Sequence, residues 1–300
     1  MEASRISSHV AIPASSARQV LSDYVALTKP KVQSLLLLTT VTTMYVAGDP
    51  SLELILLTCL GGALSAGGAG AVNHAVDRDI DRTMARTADR PVASGRVSPA
   101  AAIAFGALLG CASFALLALT VNPLAAALSL SGLFGYVFVY TLWLKRTTPQ
   151  NIVIGGAAGA VPPLVGWAAG TGSVGLAAWL LFAIVFVWTP PHFWALALLI
   201  KDNYANARVP MLPVVRGDRE TARQIVGYSL VLVGVTIVPF ALGTLGLVYL
   251  ASALVLGGAF LVLAVRLRRD LTRPHAALLF HFSLAYLALL FVAMALDAVA

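Results

Sequence analysis

Long apolar runs alternate along the chain with short polar links and longer charged loops. Each run is close to the ~20 residues that a helix needs to cross the hydrocarbon core of a bilayer. A membrane β-barrel would instead show strands of ~10 residues in which apolar and polar positions alternate. The pattern therefore predicts an all-α, polytopic membrane bundle of about nine transmembrane helices, placed near residues 31–48, 52–75, 100–119, 123–143, 150–169, 175–199, 225–243, 246–265 and 276–297.

Composition supports the same fold class. Of 300 residues, 59% are hydrophobic and 11% are charged, and the mean hydropathy is +0.87, whereas soluble domains contain about 25% charged residues. The first 22 residues have no long apolar run and no signal-peptide pattern. We therefore predict a mobile cytoplasmic tail over residues 1–22 and one transmembrane domain over residues 23–300.

The basic residues predict the orientation of the bundle. All 20 Lys and Arg residues lie in the tail, at span ends or in the loops after even-numbered spans, and the links after spans 1, 3, 5 and 7 contain none. Because positive charge marks cytoplasmic loops, we predict a plasma (inner) membrane protein with its N-terminus inside and its C-terminus outside. The net charge of +7 then reflects topology, and we expect no nucleic-acid partner.

The first group of candidate functional residues lies in the loop that follows the second span. Asn73, Asp77 and Asp81 are spaced four residues apart, so on a helix they drift by only ~40° per step and form one oxygen-rich stripe. Asp79 points elsewhere. Hard oxygen ligands at the mouth of a span suit Mg²⁺, which usually shares its ligand shell with substrate phosphates. The alternative is a solvated loop whose alternating charges neutralise one another.

A second polar stretch interrupts the sixth span. His192 follows Pro190 and Pro191 and lies about 14 Å of helix before the charged residues at Lys201. A titratable side chain at that depth usually has a function, and we interpret His192 as a residue that lines a substrate cavity or binds iron. The alternative is a neutral histidine bonded to a carbonyl that the prolines release.

Together these motifs resemble the UbiA-type intramembrane prenyltransferases, and within that family its heme-farnesylating branch. The acidic spacing identifies the wider family. The stretches that are similar to the narrower branch are 27–31, 77–82, 86–96, 145–152, 155–163, 190–194, 201–202 and 210–214.

The resemblance implies a bundle around a central cavity, with farnesyl diphosphate and heme B as substrates and heme O and diphosphate as products. It implies Mg²⁺ bound with the diphosphate, the lipid bilayer as surroundings, and heme A synthase or terminal-oxidase assembly factors as further partners. The residues it assigns are Asn73, Asp77, Asp81 and Asp202 for catalysis and metal binding, Lys29, Arg82, Arg86 and Lys201 for diphosphate, and His192 and Trp194 for heme.

One departure from the family pattern affects the second loop. Many family members carry a second pair of aspartates there, whereas here Asp202 is followed four residues later by Asn206. Two other functions therefore stay open. The first is prenylation of an aromatic or quinone precursor, which would not use His192, and the second is a non-catalytic heme transporter or assembly protein, which would not need the acidic stripe.

Overall fold

The computed structural model describes residues 16–300, and every regular element within that range is helical. The helices are α1 (Ala17–Leu27), α2 (Pro30–Ala47), α3 (Leu52–Val76), α4 (Arg78–Thr83), α5 (Pro99–Thr120), α6 (Pro123–Thr147), α7 (Asn151–Thr171), α8 (Leu176–Leu199), α9 (Lys201–Asn206), α10 (Leu212–Ala241), α11 (Leu247–Arg269) and α12 (Arg273–Val299).

Within the described range, eight helices are long and apolar enough to cross a membrane. They are α3, α5, α6, α7, α8, α10, α11 and α12, and they coincide with eight of the nine predicted spans. The predicted helical membrane bundle is confirmed, and the protein is a multi-pass membrane protein.

The first predicted span differs from the others. Helix α2 has 18 residues but is less apolar than the eight, because it contains Lys31, Gln33 and four threonines. The hydroxyls of Thr39 and Thr40 donate to the Leu36 carbonyl at 2.8 and 3.0 Å, which satisfies them without water. Since α2 packs against α3, α7 and α12, it belongs to the bundle, and the total of nine spans stays a prediction.

The long helices pack as two groups. Helices α2, α3, α5, α6 and α7 form the first group, and α8, α10, α11 and α12 form the second. The groups meet where α8 packs on α7 and where α12 packs on α2. Small residues allow a close approach in the first group, since a methyl group added at Gly68 would lie 2.6 Å from the Gly106 carbonyl oxygen.

The predicted tail lies partly outside the described residues, which begin at Ser16. Residues 17–22 differ from the prediction because they form the first half of α1, which Ser16 caps by accepting from the Gln19 amide. An ion pair of 2.9 Å between Asp23 and Arg96 ties α1 to the loop that follows α4. Such a tertiary contact cannot be seen in a local sequence pattern.

Several membrane helices are irregular. Residues Gly135–Leu144 of α6 are wound as a π-helix, and Pro190 and Pro191 lie inside α8. Gly217 interrupts α10 with a φ of 78°, a left-handed conformation that favours glycine. Helix α10 starts at Leu212, whereas the predicted span starts at residue 225. The residues between these positions are helical, but they are too polar to be predicted as part of a membrane span.

Candidate active site

Asn73, Asp77 and Asp81 form one stripe where α3 passes into α4, and we call these three residues the acidic stripe. The Asp77 amide donates to the Asn73 carbonyl at 2.9 Å and the Asp81 amide to the Asp77 carbonyl at 2.8 Å, so helical bonding continues across the junction. All three side chains are buried, and Asn73 Nδ2 donates to Asp77 Oδ2 at 2.7 Å. Asp79 is exposed and pairs with Arg146.

Two cations pair with the carboxylates of the stripe, one from 68 residues and the other from nine residues further along the sequence. Lys145 Nζ lies 2.5 Å from Asp77 Oδ2. Arg90 Nη1 donates to both carboxylate oxygens of Asp81 at 2.9 Å. Each buried carboxylate therefore has a cationic partner that offsets the cost of removing it from water.

A third cation, Lys29, reaches the stripe from the junction of α1 and α2. Its Nζ donates to the Asn73 amide oxygen at 2.6 Å and lies 5.9 Å from the centre of the Tyr136 ring. The backbone of Lys29 is left-handed, with a φ of 54°, which is strained for a residue with a side chain. Burial, together with the other cations of the site, lowers the pKa of Lys29 to about 7.

Glycine in α3 makes this placement of Lys29 possible. A methyl group at Gly70 would lie 2.9 Å from the Leu27 carbonyl oxygen, and one at Gly67 would lie 3.2 Å from Thr28 Cβ. The chain just before Lys29 thus rests directly on the backbone of α3. The two glycines fix how deep the lysine enters the site.

One oxygen of the stripe accepts no hydrogen bond from residues 16–300. This is Asp77 Oδ1, which is fully buried and forms a long ion pair with Arg146 Nη2 at 3.8 Å. No group of three or more His, Cys, Asp or Glu side chains within residues 16–300 is arranged to hold a metal ion by itself. A lone buried carboxylate oxygen fits Mg²⁺ that is shared with a ligand's phosphates, because Mg²⁺ commonly uses one or two protein carboxylates.

Apolar residues next to the acidic stripe at α4 pack against the segment that follows α9. Ile80 and Met84 pack with Val209 and Met211 in one cluster, which we call the cap cluster. Tyr204 of α9 lies against it. Burial raises the pKa of the Tyr204 phenol, Arg86 and Arg90 oppose that rise, and Asp77 adds to it. Tyr204 of α9 therefore lies within electrostatic range of the acidic stripe.

The other predicted residues of the two loops lie outside this network. Asp202 is exposed and makes no hydrogen bond or ion pair with any described residue. Lys201 pairs with Asp218 at 2.8 Å, and Arg82 Nε donates to the Ala93 carbonyl at 2.9 Å. Arg86 is exposed at the surface, within electrostatic range of Tyr204. The roles predicted for these four residues stay predictions.

His192 occupies a separate, aromatic environment on α8. Its ring stacks on Trp188 at 4.4 Å and on Phe280 at 4.9 Å, and its Nδ1 lies 2.6 Å from Ser283 Oγ. The histidine is buried, but its Nε2 has no hydrogen-bond partner among the described residues and is not fully enclosed. The ring of His192 is therefore fixed by its stacking partners and by Ser283, and its predicted role toward heme stays a prediction.

Trp194 is a core residue between α8 and α10. It is 1% exposed, meets Tyr228 edge to face at 5.3 Å and has an indole N–H without a partner. The structure thus brings Lys29, Asn73, Asp77 and Asp81 together and places His192 and Trp194 elsewhere on α8.

Sequence reasoning did not assign site roles to Lys145, Arg90 and Thr141. The Thr141 hydroxyl accepts from Asn73 Nδ2 at 3.1 Å, and Asn73 and Thr141 are 68 residues apart. A signal for Lys145 exists, since it ends an apolar run on the side where the acidic stripe lies. Nothing local distinguishes Arg90 from the neighbouring arginines of the same loop.

Comparison with known sequences finds a matching family and several similar proteins. A sequence model of the UbiA prenyltransferase family matches residues 36–294. A protoheme IX farnesyltransferase from Roseiflexus sp. is 58% identical over 282 residues, which cover 93% of this chain and 53% of that protein. One from Gloeobacter violaceus is 55% identical over 286 residues, covering 93% of this chain and 92% of that protein. The chain thus spans about half the length of the Roseiflexus relative.

Solved structures share the fold. A digeranylgeranylglyceryl phosphate synthase superposes with a TM-score of 0.77 at 18% identity, covering 93% of this chain and 98% of that one. A UbiA homologue from Archaeoglobus fulgidus, solved with GPP and Mg²⁺, gives a TM-score of 0.67 at 17% identity over 91% of this chain and 99% of that one.

Proposed function

The chain belongs to the UbiA prenyltransferase family, and on that basis we propose that it transfers a farnesyl group from farnesyl diphosphate to a vinyl group of heme B, giving heme O and diphosphate. The observation that carries this proposal is the acidic stripe, buried at the loop end of membrane helices and surrounded by Lys29, Arg90 and Lys145. Identity above 50% to protoheme IX farnesyltransferases supports the choice of substrates.

The acidic stripe would bind the diphosphate through a shared metal ion. Asp77, through its Oδ1, would hold Mg²⁺ together with Asn73 and Asp81. When bound, Mg²⁺ supplies positive charge that stabilises the leaving diphosphate. That the A. fulgidus homologue of the same fold was solved with GPP and Mg²⁺ supports a metal-bound diphosphate as the ligand.

Side chains of the chain itself would complete the diphosphate site. Lys29, Arg90 and Lys145 already face the stripe and would donate hydrogen bonds to diphosphate oxygens as the C–O bond breaks. Arg86 would approach the same pocket from beside Tyr204. Arg82, Lys201 and Asp202 would act only if their loops move inward.

The carbon chemistry needs a dry pocket. A vinyl carbon of heme attacks the allylic carbon, a C–C bond forms, and the C–O bond to diphosphate breaks. The cation left on the porphyrin side chain takes up water and releases a proton, which leaves the hydroxyl group of heme O. The cap cluster and Tyr204 would keep other water away from the allylic cation until that point.

His192 would orient the heme. Its free Nε2 faces away from the bond to Ser283, and the stacked Trp188 and Phe280 rings fix its plane. Aromatic surfaces of this kind suit a porphyrin face. We further propose that the acidic loops face the cytoplasm at the inner membrane and that heme A synthase or an oxidase assembly factor receives the product.

The decisive test of the activity is the mass of the product. Purified protein in detergent, given heme B, farnesyl diphosphate and Mg²⁺, should yield heme O by mass spectrometry, and chelation of the metal should stop the reaction. A prenylated aromatic acid or quinone precursor formed under the same conditions would contradict the heme assignment. Heme binding without release of diphosphate would contradict enzymatic function.

The test of the acidic stripe compares three aspartates. The Asp77→Asn and Asp81→Asn substitutions together should lower turnover by at least about 100-fold, because they remove charge that positions the metal and the leaving group. The matched control is Asp79→Asn, since Asp79 is exposed and pairs only with Arg146, and it should keep most of the activity. Equal activity in the double variant and the control would rule out the role of the stripe.

A further inference from the structure

A basic groove lies at the loop end of α10 and α11, away from the acidic stripe. It has a volume of about 660 Å³, and four of its lining residues are arginines: Arg219, Arg223, Arg268 and Arg269. Only two carboxylates, Glu220 and Asp270, share the groove. The groove therefore carries a positive charge that favours an anionic ligand.

Most of this positive charge is not used inside the protein. Glu220 pairs with Arg223 at 2.8 Å, and Asp270 lies 3.3 Å from His275. Arg219, Arg268 and Arg269 make no ion pair with any residue between 16 and 300. Guanidinium groups in this position are suited to binding phosphate oxygens with two parallel hydrogen bonds.

An apolar groove continues from the basic one along α10. It has a volume of about 380 Å³ and is lined by Gly227, Tyr228 and Val231 beyond Arg223 and Gln224. Arg223 borders both grooves. Gly227 has open space beside it, since a methyl group there would meet no atom within 4 Å. A polar compartment and an apolar compartment thus join end to end on a helix that crosses the membrane.

We propose that the joined grooves bind an anionic glycerophospholipid of the surrounding leaflet. Its phosphate would lie among Arg219, Arg268 and Arg269, and one acyl chain would run along Gly227 and Val231. Charge complementarity favours an anionic over a zwitterionic lipid, as in other basic pockets between membrane helices. The site shares no residue with the acidic stripe, so its occupancy is separate from the proposed prenyl transfer.

The test measures which lipid stays with the protein. Protein from nanodiscs containing phosphatidylcholine and phosphatidylglycerol should retain phosphatidylglycerol in native mass spectrometry. The triple variant Arg219→Gln, Arg268→Gln and Arg269→Gln should bind it about 100-fold more weakly. The control triple variant Arg216→Gln, Arg266→Gln and Arg273→Gln removes the same charge outside the groove and should keep the lipid.

A second pair of variants tests the apolar half without changing charge. Gly227→Phe fills that half and should reduce retention of phosphatidylglycerol, whereas Gly258→Phe, at an open position on α11, should not. The proposal would be overturned if both arginine triple variants lost phosphatidylglycerol equally. It would also be overturned if the protein retained phosphatidylcholine as strongly as phosphatidylglycerol. Displacement of the lipid by glycerol phosphate alone at equal concentration would overturn it too, since that would indicate a site for free anions.

Discussion

Asp77 has two carboxylate oxygens with opposite surroundings. Oδ2 accepts from Lys145 and from Asn73, whereas Oδ1 is buried without a hydrogen bond from any described residue and has only the Arg146 guanidinium at 3.8 Å. A buried oxygen of a charged group without a hydrogen bond is costly, so its presence points to a ligand that completes it. The stripe itself could be predicted from sequence because residues four apart share a helix face. The family resemblance assigned Lys29 to the diphosphate, but no local pattern predicts its contact with Asn73 or that of Lys145 with Asp77, because these pairs are 44 and 68 residues apart.

Removing Lys145 tests how much Asp77 depends on it. Lys145→Met should lower the free energy of unfolding by on the order of 3 kcal/mol, because breaking a buried ion pair leaves one charge uncompensated. Thermal unfolding in detergent measures this loss of stability. The control is Lys31→Met, because Lys31 is exposed. The double variant Lys145→Met, Asp77→Asn should recover much of the stability. A double variant less stable than Lys145→Met would contradict the pairing.

Replacing His192 tests the proposed heme contact. His192→Ala should weaken heme binding about tenfold or more and shift the absorbance of the bound heme, because the free Nε2 is lost. His281→Ala is the matched control, since that histidine is exposed on α12 and bonds only to the Ala277 carbonyl. Absorbance titration with heme B reads out both. Unchanged affinity and spectrum in His192→Ala would leave the histidine with a packing role only.

At the scale of elements, the site depends on where helices come close together. The long apolar helices were predictable because lipid requires every backbone group to be bonded within a helix. The helix α1, the interruption at Gly217 and the π-helical part of α6 were not predicted. Helix α1, for example, is held by the ion pair with Arg96, a contact that no local pattern reveals.

The contact between α3 and the start of α2 gives a prediction about Gly70. Gly70→Ala should destabilise the protein by about 1–3 kcal/mol through overpacking, since the added methyl would lie 2.9 Å from the Leu27 carbonyl oxygen. It should also lower turnover, because Lys29 must shift.

The matched control for Gly70→Ala is Gly62→Ala in the same helix. A methyl group at Gly62 would lie at an ordinary 3.5 Å from Leu37 Cδ2. Thermal unfolding and heme O formation should therefore separate the two variants. Equal results for both would mean that the approach of Leu27 to α3 is not required.

At the scale of the whole molecule, the candidate site draws on both helix groups. The first group supplies the acidic stripe, Lys29 and Lys145. The segment after α8, in the second group, supplies Tyr204 and two members of the cap cluster, Val209 and Met211. Hydropathy predicted the bundle, and charge asymmetry predicted its orientation. The number of spans depends on α2, whose threonine-rich face makes it less apolar than the other long helices.

Labelling with a membrane-impermeant maleimide tests the predicted orientation. In a background with Cys59→Ala and Cys111→Ala, intact cells should label Ala300→Cys but not Ser94→Cys. Permeabilised cells should label both, because the seven long apolar helices after Ser94 place the C-terminus opposite the loop that contains Ser94. Protection of Ala300→Cys in intact cells would contradict the predicted orientation.

The π-helical winding of α6 changes which residues share a face. Tyr136, Thr141 and Arg146 are five positions apart, and on a regular α-helix neighbours in such a series would point about 140° away from one another. In this structure Tyr136 lies under Lys29, Thr141 bonds Asn73, and Arg146 bonds Asp79. A one-residue deletion between Tyr136 and Thr141 would therefore move Tyr136 out of line with Thr141 and Arg146, so that the three contacts could not all form. No single substitution would disrupt all three, so the site requires this segment to keep its length.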